Sequence, residues 1–480
     1  MDRTRTPVRT TFALLAVSVA AFTLLQSLIV PVLERIRVEL GTDQATVTWV
    51  LTAYLLSAAI STPLVGRLGD AVGKKRMLVI ALVALSAGSF AAALAPSVGW
   101  MVAARVVQGV GGGVMPLAFG IIRDEFPPER RSGALSVIAA LAAVGFGVGI
   151  VIGGPIVAGL GYRWLFWLPM IVTAVAAVGV ALVVPESPVR SPGRLPLGPA
   201  LALSATLVCL LLGVSEGNAW GWTSPGVLGL LAAALVLGVV WVRSELRARV
   251  PLVDMRMMRR RGIWTANLVS GCTGFGMFAA FSFVPQFLQT PVAAGYGFGA
   301  TLSESGRVLL PSAVASFLVG FWTARLIRLA GARAVIALGC LLNGVAFVSI
   351  GLFHDALWQL YAATVVQGVG GGLIFSSLAN VVVASVPASQ TGVANGMNFN
   401  IRTIGGALGT ATMAAIVTAG HAPGELPSEG AYTAGFVVLG CAMLSAAAIA
   451  LAVPDIRRSE HQALEDADNT SLGSLPVDTR

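Results

Sequence analysis

The chain has 480 residues, of which 56% are hydrophobic and only 11% charged, and its mean hydropathy is +0.84. Soluble globular chains carry about 25% charged residues, so this composition excludes a water-soluble protein and calls for lipid around most of the surface. The net charge of +9 does not indicate nucleic acid, because the basic residues stand at alternate junctions between apolar runs, with no aromatic-interleaved basic patch.

Runs of about 20 apolar residues cross a bilayer as helices, which satisfy their own backbone hydrogen bonds. Fourteen such runs follow one another. Span 1 (12–33) is too long for a signal-peptide core and carries Gln26 near its middle. Span 2 (44–66) leads into Gly66-Arg67-Leu68-Gly69-Asp70-Ala71-Val72-Gly73-Lys74-Lys75-Arg76. That segment reads as a tight turn, with glycines to permit the geometry and Asp70 available to cap a neighbouring helix N-terminus. Span 3 covers 77–95. Span 4 (98–122) places Arg105, Gln108 and Gly112 on one face at i, i+3 and i+7, with Gly109 alongside. A charge at that depth is costly unless it faces a cavity or partner; snorkelling toward the outer end is the structural alternative. The span ends in Arg123-Asp124, whose carboxylate is a candidate partner for Arg67 or Lys74 in an exposed and individually weak ion pair.

Span 5 (133–160) holds Gly145, Gly149 and Gly153 at intervals of four, then Gly154-Pro155 and Gly159. Small residues every fourth position let two helices approach closely, and a proline in mid-helix removes a hydrogen bond. The expectation is a tightly packed, kinked helix pair, for packing alone or for a conformational role. Span 6 (164–185) is followed by spans 7 (198–215) and 8 (226–243). Spans 9 to 14 occupy 263–287, 304–325, 334–353, 356–385, 390–419 and 431–453. Span 13 has Asn395, Asn398 and Arg402 on one face, with Asn400 nearby and Gly405, Gly406 and Gly409 further on. A polar stripe opposite small residues suggests a cavity on one side and a neighbouring helix on the other. Inter-helix hydrogen bonding is the plainer alternative. Cys209, Cys272, Cys340 and Cys441 lack metal spacing and read as small hydrophobes.

Val106-Val107-Gln108-Gly109-Val110-Gly111-Gly112-Gly113 returns as Val365-Val366-Gln367-Gly368-Val369-Gly370-Gly371-Gly372, and Gly133 finds its counterpart in Gly392. The repeat relates spans 2–5 to spans 10–13, which is the signature of a transporter built from two parallel halves with its site between them. The expected organisation is a tail (1–11), a six-helix half (12–185), a linker with two inserted spans (186–262), a second six-helix half (263–454) and a disordered tail (455–480). An even number of spans puts both termini on one side. With that side cytoplasmic, 25 Lys and Arg fall inside and four outside (Arg35, Arg37, Arg163, Arg307), as the positive-inside rule demands.

These motifs resemble the major facilitator superfamily, and within it the fourteen-span drug:proton antiporter family. Gly66 to Arg76 is similar to its loop 2–3 signature, Arg105 to Gly109 to its span 4 signature linked to proton coupling, and Gly149 to Gly159 to its span 5 antiporter signature. Pro251-Leu252-Val253-Asp254 after an inserted pair of spans is also typical. The resemblance implies an all-α major facilitator fold and export of small amphipathic, drug-like compounds by alternating access, in exchange for protons, from a monomer in the inner membrane. Family members carry an aspartate in mid-span 1, where this chain has Gln26, a side chain that cannot hold and release a proton near neutral pH. Coupling would then need another carboxylate, and Glu304 is the candidate, although Arg307 one turn along suggests a structural pair. An uncoupled or differently coupled metabolite carrier of the same fold is the alternative. Arg67, Asp70, Lys74 and Asp124 are expected to bias a gate, and Gln26, Asn395, Asn398, Asn400 and Arg402 to line the cavity. Its arginines and the lack of a mid-membrane acid favour neutral or anionic substrates. An enzyme would need a convergent set of nucleophile, base or metal ligands, and no such set, cofactor motif or metal site is expected.

Overall fold

The computed structural model describes residues 8–29, 33–42, 44–187, 196–248, 251–419 and 426–454. Most of the expected N-terminal tail, the C-terminal tail and Arg190 with Arg194 lie outside them. Fourteen helices are long and apolar enough to cross a membrane, and no strand occurs among the described residues. The spans of the first half are Val8–Leu28, Gln44–Val72, Lys74–Ala93, Val98–Gly109 continued by Val114–Glu125, Pro128–Leu160 and Trp164–Val183. The inserted pair is Leu197–Ser215 and Pro225–Arg247. Spans 9 to 14 are Arg261–Gln289, Leu302–Ala330, Ala332–Leu352, Leu357–Ser385, Thr391–Thr418 and Glu429–Ala450.

Two departures from expectation change the reading of the motifs. Span 2 does not end at residue 66 but stays helical to Val72, so most of the glycine-and-charge motif is helix. The reversal into span 3 falls on Gly73 alone, at φ 132°, where a side chain would be strained and would also meet the Glu186 carboxylate. Span 4 tightens into a 3-10 turn at Val110–Gly113 inside its glycine run, while the matching run of span 12 stays α-helical.

Helix contacts repeat between the halves. In the first, span 1 packs on spans 5 and 6, span 2 on span 4, and span 3 on spans 4 and 6; in the second, the same pairs recur among spans 9 to 14. The halves meet where span 5 lies on span 10 and span 2 on span 13, two pairings that the repeat interchanges. Each half has its own apolar core, around Leu78, Leu85 and Ile122 in the first and Ile336, Phe347 and Phe436 in the second. Span 7 rests beside the seam between spans 2 and 13, and span 8 packs on span 7. The base of the insert is tied down by Glu245, which accepts from Trp241 Nε1 (3.0 Å) and from the Leu252 amide (2.8 Å).

Candidate functional site

The end of the molecule that carries the arginine and lysine clusters is called the basic end below. There the two halves come together backbone to backbone. A methyl group at Gly66 would lie 2.7 Å from the Gly392 carbonyl oxygen, and one at Gly396 would lie 3.1 Å from Pro63 Cα. Because span 13 begins at Thr391, its first amides are free of intrahelical partners. Asp70 fills that need: Gly392 N–H and Val393 N–H donate to Oδ2 at 3.1 and 3.3 Å. A carboxylate at a helix N-terminus also meets the positive end of the dipole. Lys74 Nζ stands 3.6 Å from Asp70 Oδ1 and donates to Asp124 Oδ2 at 2.7 Å. Ser187 also donates to Asp124, and Arg123 Nη1 donates across the seam to Thr391 Oγ1 at 2.8 Å.

The expected pair between Lys74 and Asp124 is therefore present, but it is not the exposed surface pair the sequence suggested. Lys74 and Asp70 are fully buried and Asp124 is 1% exposed, because the helical extension of span 2 and the start of span 13 cover them. A buried pair behaves differently from a surface one: removing either partner leaves a desolvated charge. Arg67 is also buried and lies within electrostatic reach of both Asp70 and Glu245, so the base of the insert adjoins the same cluster.

Further into the membrane, Ser376 Oγ donates to the Ser136 carbonyl (2.9 Å), Asn380 Nδ2 to Ser136 Oγ (3.0 Å), and Asn400 Nδ2 to the Ala59 carbonyl (2.7 Å). All three bonds cross between the halves. Ser136 and Asn380 escaped the sequence reading, which had no means of pairing one residue of span 5 with one of span 12.

Arg105 does not line a cavity. It is fully buried inside the first half, where Nε donates to the Val50 carbonyl (3.0 Å), Nη1 donates to Gln108 Oε1 (2.7 Å), and Cζ lies 4.1 Å from the Tyr54 ring centre. Gln108 Nε2 passes the chain on to Ser89 Oγ (2.8 Å). One charged group thus ties spans 2, 3 and 4 together. Its repeat counterpart, Thr364, bonds the Val308 carbonyl at 3.0 Å, so the contact survives in the second half without the charge. The glycines serve the same packing: a methyl at Gly109 would meet Ser57, and one at Gly112 would lie 2.5 Å from Thr62 Oγ1.

In span 5, Gly145 and Gly149 receive Thr23 and Ser27 of span 1, and Gly147 faces Ala313 of span 10. The outer part of that motif is looser than expected. The helix runs through Pro155, which is exposed, and Gly159 faces open space; Gly153 is buried. Gln26 is half-buried in span 1, and Thr23 and Ser27 are the residues that meet the span 5 glycines.

Between the halves lies a small cavity of about 20 Å³, bordered by Met115 and Phe119 of span 4, Ala139 of span 5, Phe375 of span 12, and Asn395 and Arg402 of span 13. That is room for about one water. Asn398 also borders it but is committed to span 9, donating to Asn267 Oδ1 (3.0 Å) and accepting from Ser270 (2.9 Å). Asn400 points the other way, into the seam. Of the expected cavity residues, Asn395, Asn398 and Arg402 come together, and Gln26 and Asn400 are not among the bordering residues. Glu304 is distant from this place. It is exposed at the start of span 10, where its carboxylate accepts from Thr301 N and Oγ1, both at 2.8 Å, closing a capping box. Its hydrogen-bond partner is Thr301, with Arg307 acting on it electrostatically.

Two pseudo-symmetric halves that meet around a central cavity are the architecture of a membrane transporter. The chain belongs to the Major Facilitator Superfamily, whose family model matches residues 15–311 and 294–476. It is similar to the multidrug transporter protein MdtP of Bacillus subtilis, 28% identical over 376 residues that make up 78% of this chain and 68% of that protein. It is similar also to the tetracenomycin C resistance and export protein of Streptomyces glaucescens, 28% identical over 84% of this chain and 75% of that one. The cephamycin export protein CmcT of Amycolatopsis lactamdurans is 29% identical over 90% of each. Among solved structures, the human organic anion transporter MFSD10 superposes with a TM-score of 0.66 over 92% of this chain and 99% of that one, at 18% identity, which speaks for the fold. Fourteen spans and exporter relatives agree with the drug:proton antiporter family that the motifs resemble.

Proposed function

We propose that this protein exports small amphipathic, drug-like compounds across the cytoplasmic membrane by alternating access, in exchange for protons. The observation that carries the reading is the seam itself: two repeat-related helix pairs, closed at the basic end over a cavity bordered by both halves. The basic end and both termini lie in the cytoplasm, in keeping with the positive-inside rule. In this conformation the cytoplasmic side is shut and the cavity is contracted to about 20 Å³, so substrate enters only when the halves part. Asp70, Lys74, Asp124 and Arg67 bias that gate, with Gly66 and Gly73 setting its backbone geometry. Arg105, Gln108 and Gly109 keep spans 2, 3 and 4 moving as one body, and the span 5 glycines form the bending surface against span 1. Asn395 supplies a polar contact to substrate, whereas Gln26, which does not border the cavity, is not assigned that role. The protein acts as a monomer in lipid, without cofactor.

Glu304 is not retained as the proton site, because it is an exposed helix cap. Asp70 and Asp124, buried at the gate, take its place as the groups that exchange a proton. The reading is tested with purified protein in proteoliposomes that enclose a pH-sensitive dye. Amphipathic compounds are expected to evoke proton movement that is kept in Glu304→Gln and lost in Asp124→Asn. Compound flux without proton movement would favour an uncoupled carrier of the same fold, a second reading supported by Gln26 where the family carries a carboxylate. Absence of any compound flux would overturn both.

A further inference from the structure

Arg105 and Arg402 both lie more than one turn from either end of their spans, and the structure treats them differently. Arg105 has a carbonyl, a carboxamide and a tyrosine ring around it. Arg402 has only rings. Its Cζ lies 4.6 Å from the Phe375 ring centre and 5.0 Å from that of Phe399, and no carboxylate within ion-pair distance of it occurs among the described residues. Ring faces attract a cation, but they leave the five N–H donors of a guanidinium without an acceptor. The arginine is one of the residues bordering the central cavity, and no acidic residue borders it. Nothing in the repeat requires a charge there: at the span 5 offset of 259, the counterpart of Arg402 is Ala143.

We infer that Arg402 is the receptor for a negatively charged group on the transported compound, so that the preferred substrates are amphipathic organic anions with an aromatic or otherwise flat apolar body. The inference rests on the exporter reading above and narrows its substrate class. A carboxylate or similar anion matches the planar fork of guanidinium donors. Phe375 and Phe399, which already flank the cation, offer their remaining surface to a flat ring, and Met115 and Phe119 add apolar surface from the other half. A cationic substrate in the same place would stand against a positive charge that no acidic residue around the cavity compensates, and like charges repel. The residue belongs to the second half and the apolar wall partly to the first, so an anion held by Arg402 is released as the halves part on the outer side.

Two xanthene dyes of similar frame and opposite charge test this: fluorescein as the anion and rhodamine 123 as the cation. Each is offered to proteoliposomes holding wild type, Arg402→Gln or Arg402→Lys. Wild type is expected to move fluorescein at least about tenfold faster than rhodamine 123. Arg402→Gln should lose that preference while the protein stays folded, since only the two ring contacts are abandoned, and Arg402→Lys should retain part of it. Preference of wild type for rhodamine 123, or fluorescein transport unaffected in Arg402→Gln, would overturn the anion receptor while leaving the exporter reading standing. Failure to move either dye or any amphipathic compound would overturn the exporter reading and this inference with it.

Discussion

Lys74 stands between two carboxylates, and all three side chains are shut off from the surface, an arrangement that makes the proposed gate residues unequal. Replacing Lys74 by Met strands Asp70 and Asp124 as neighbouring buried anions. Replacing Asp70 by Asn leaves the Lys74–Asp124 pair intact and removes the longer 3.6 Å pair with Lys74 together with the charged acceptor at the start of span 13. Breaking a buried pair costs about 3–5 kcal/mol, whereas hydrogen bonds to a charged group contribute about 1.5–3 kcal/mol. Lys74→Met is therefore expected to lower the melting temperature of the purified protein well below that of Asp70→Asn. Asp70→Asn should chiefly shift the gate, raising the fraction open at the basic end by about tenfold to a hundredfold, since each 1.4 kcal/mol is a factor of ten. A cysteine placed at Ala139, on the cavity wall, reports this through labelling by a membrane-impermeant maleimide added on the side of the basic end. Equal labelling in wild type and Asp70→Asn would show that the carboxylate does not hold the gate.

At the scale of helices, the glycine run repeated in spans 4 and 12 allows a comparison within one molecule. Gly112 and Gly371 hold the same place in the repeat, yet a methyl at Gly112 would lie 2.5 Å from Thr62 Oγ1 and 2.8 Å from the Ala58 carbonyl, while one at Gly371 would touch nothing within 4 Å. Overpacking costs about 1–3 kcal/mol, and glycine in a helix is about 1 kcal/mol worse than alanine. Gly112→Ala is thus expected to lower the melting temperature and Gly371→Ala to leave it unchanged or raise it slightly. The reverse order in a thermal-shift measurement would mean that the first run is not tightly packed. The existence of both runs could be read from the chain, as could the fourteen spans, because apolar length and exact repetition are local properties. Which glycine touches a neighbour could not. Nor could the helicity of Gly66 to Val72, whose glycines and charges suit a loop; span 13, three hundred residues away, is the surface that makes a helix pay there. The same limit applied to the two arginines. Both stood out as charges at depth, but only the folded neighbours separate Arg105, held by Val50 and Gln108, from Arg402, held by ring faces.

For the whole molecule, the proposed transport cycle requires the seam to come apart. The closest backbone approaches across it join small residues, Gly66 with Gly392, Gly396 with Pro63, and Gly320 with Ala140, while Ala379 and Val383 of the second half pack on the apolar core of the first. Within each half, by contrast, extensive apolar cores and buried polar chains hold the helices as one body. Alternating access then requires that the halves move as units and separate at the basic end. A pair of cross-links distinguishes the two kinds of contact. Ser136 and Asn380 bond across the seam at 3.0 Å, and Ser86 and Met170 bond within the first half at 3.2 Å. With the four native cysteines replaced, linking Ser136→Cys to Asn380→Cys by a short bifunctional thiosulfonate should abolish compound flux in proteoliposomes, and reduction should restore it. Linking Ser86→Cys to Met170→Cys should leave flux near the unlinked level, because those helices do not part during the cycle. Full flux through the first cross-linked pair would show that spans 5 and 12 stay together throughout transport. The basic end would then not be the gate, and the carboxylate cluster at Asp70 and Asp124 would be a structural clasp rather than the element whose release admits substrate.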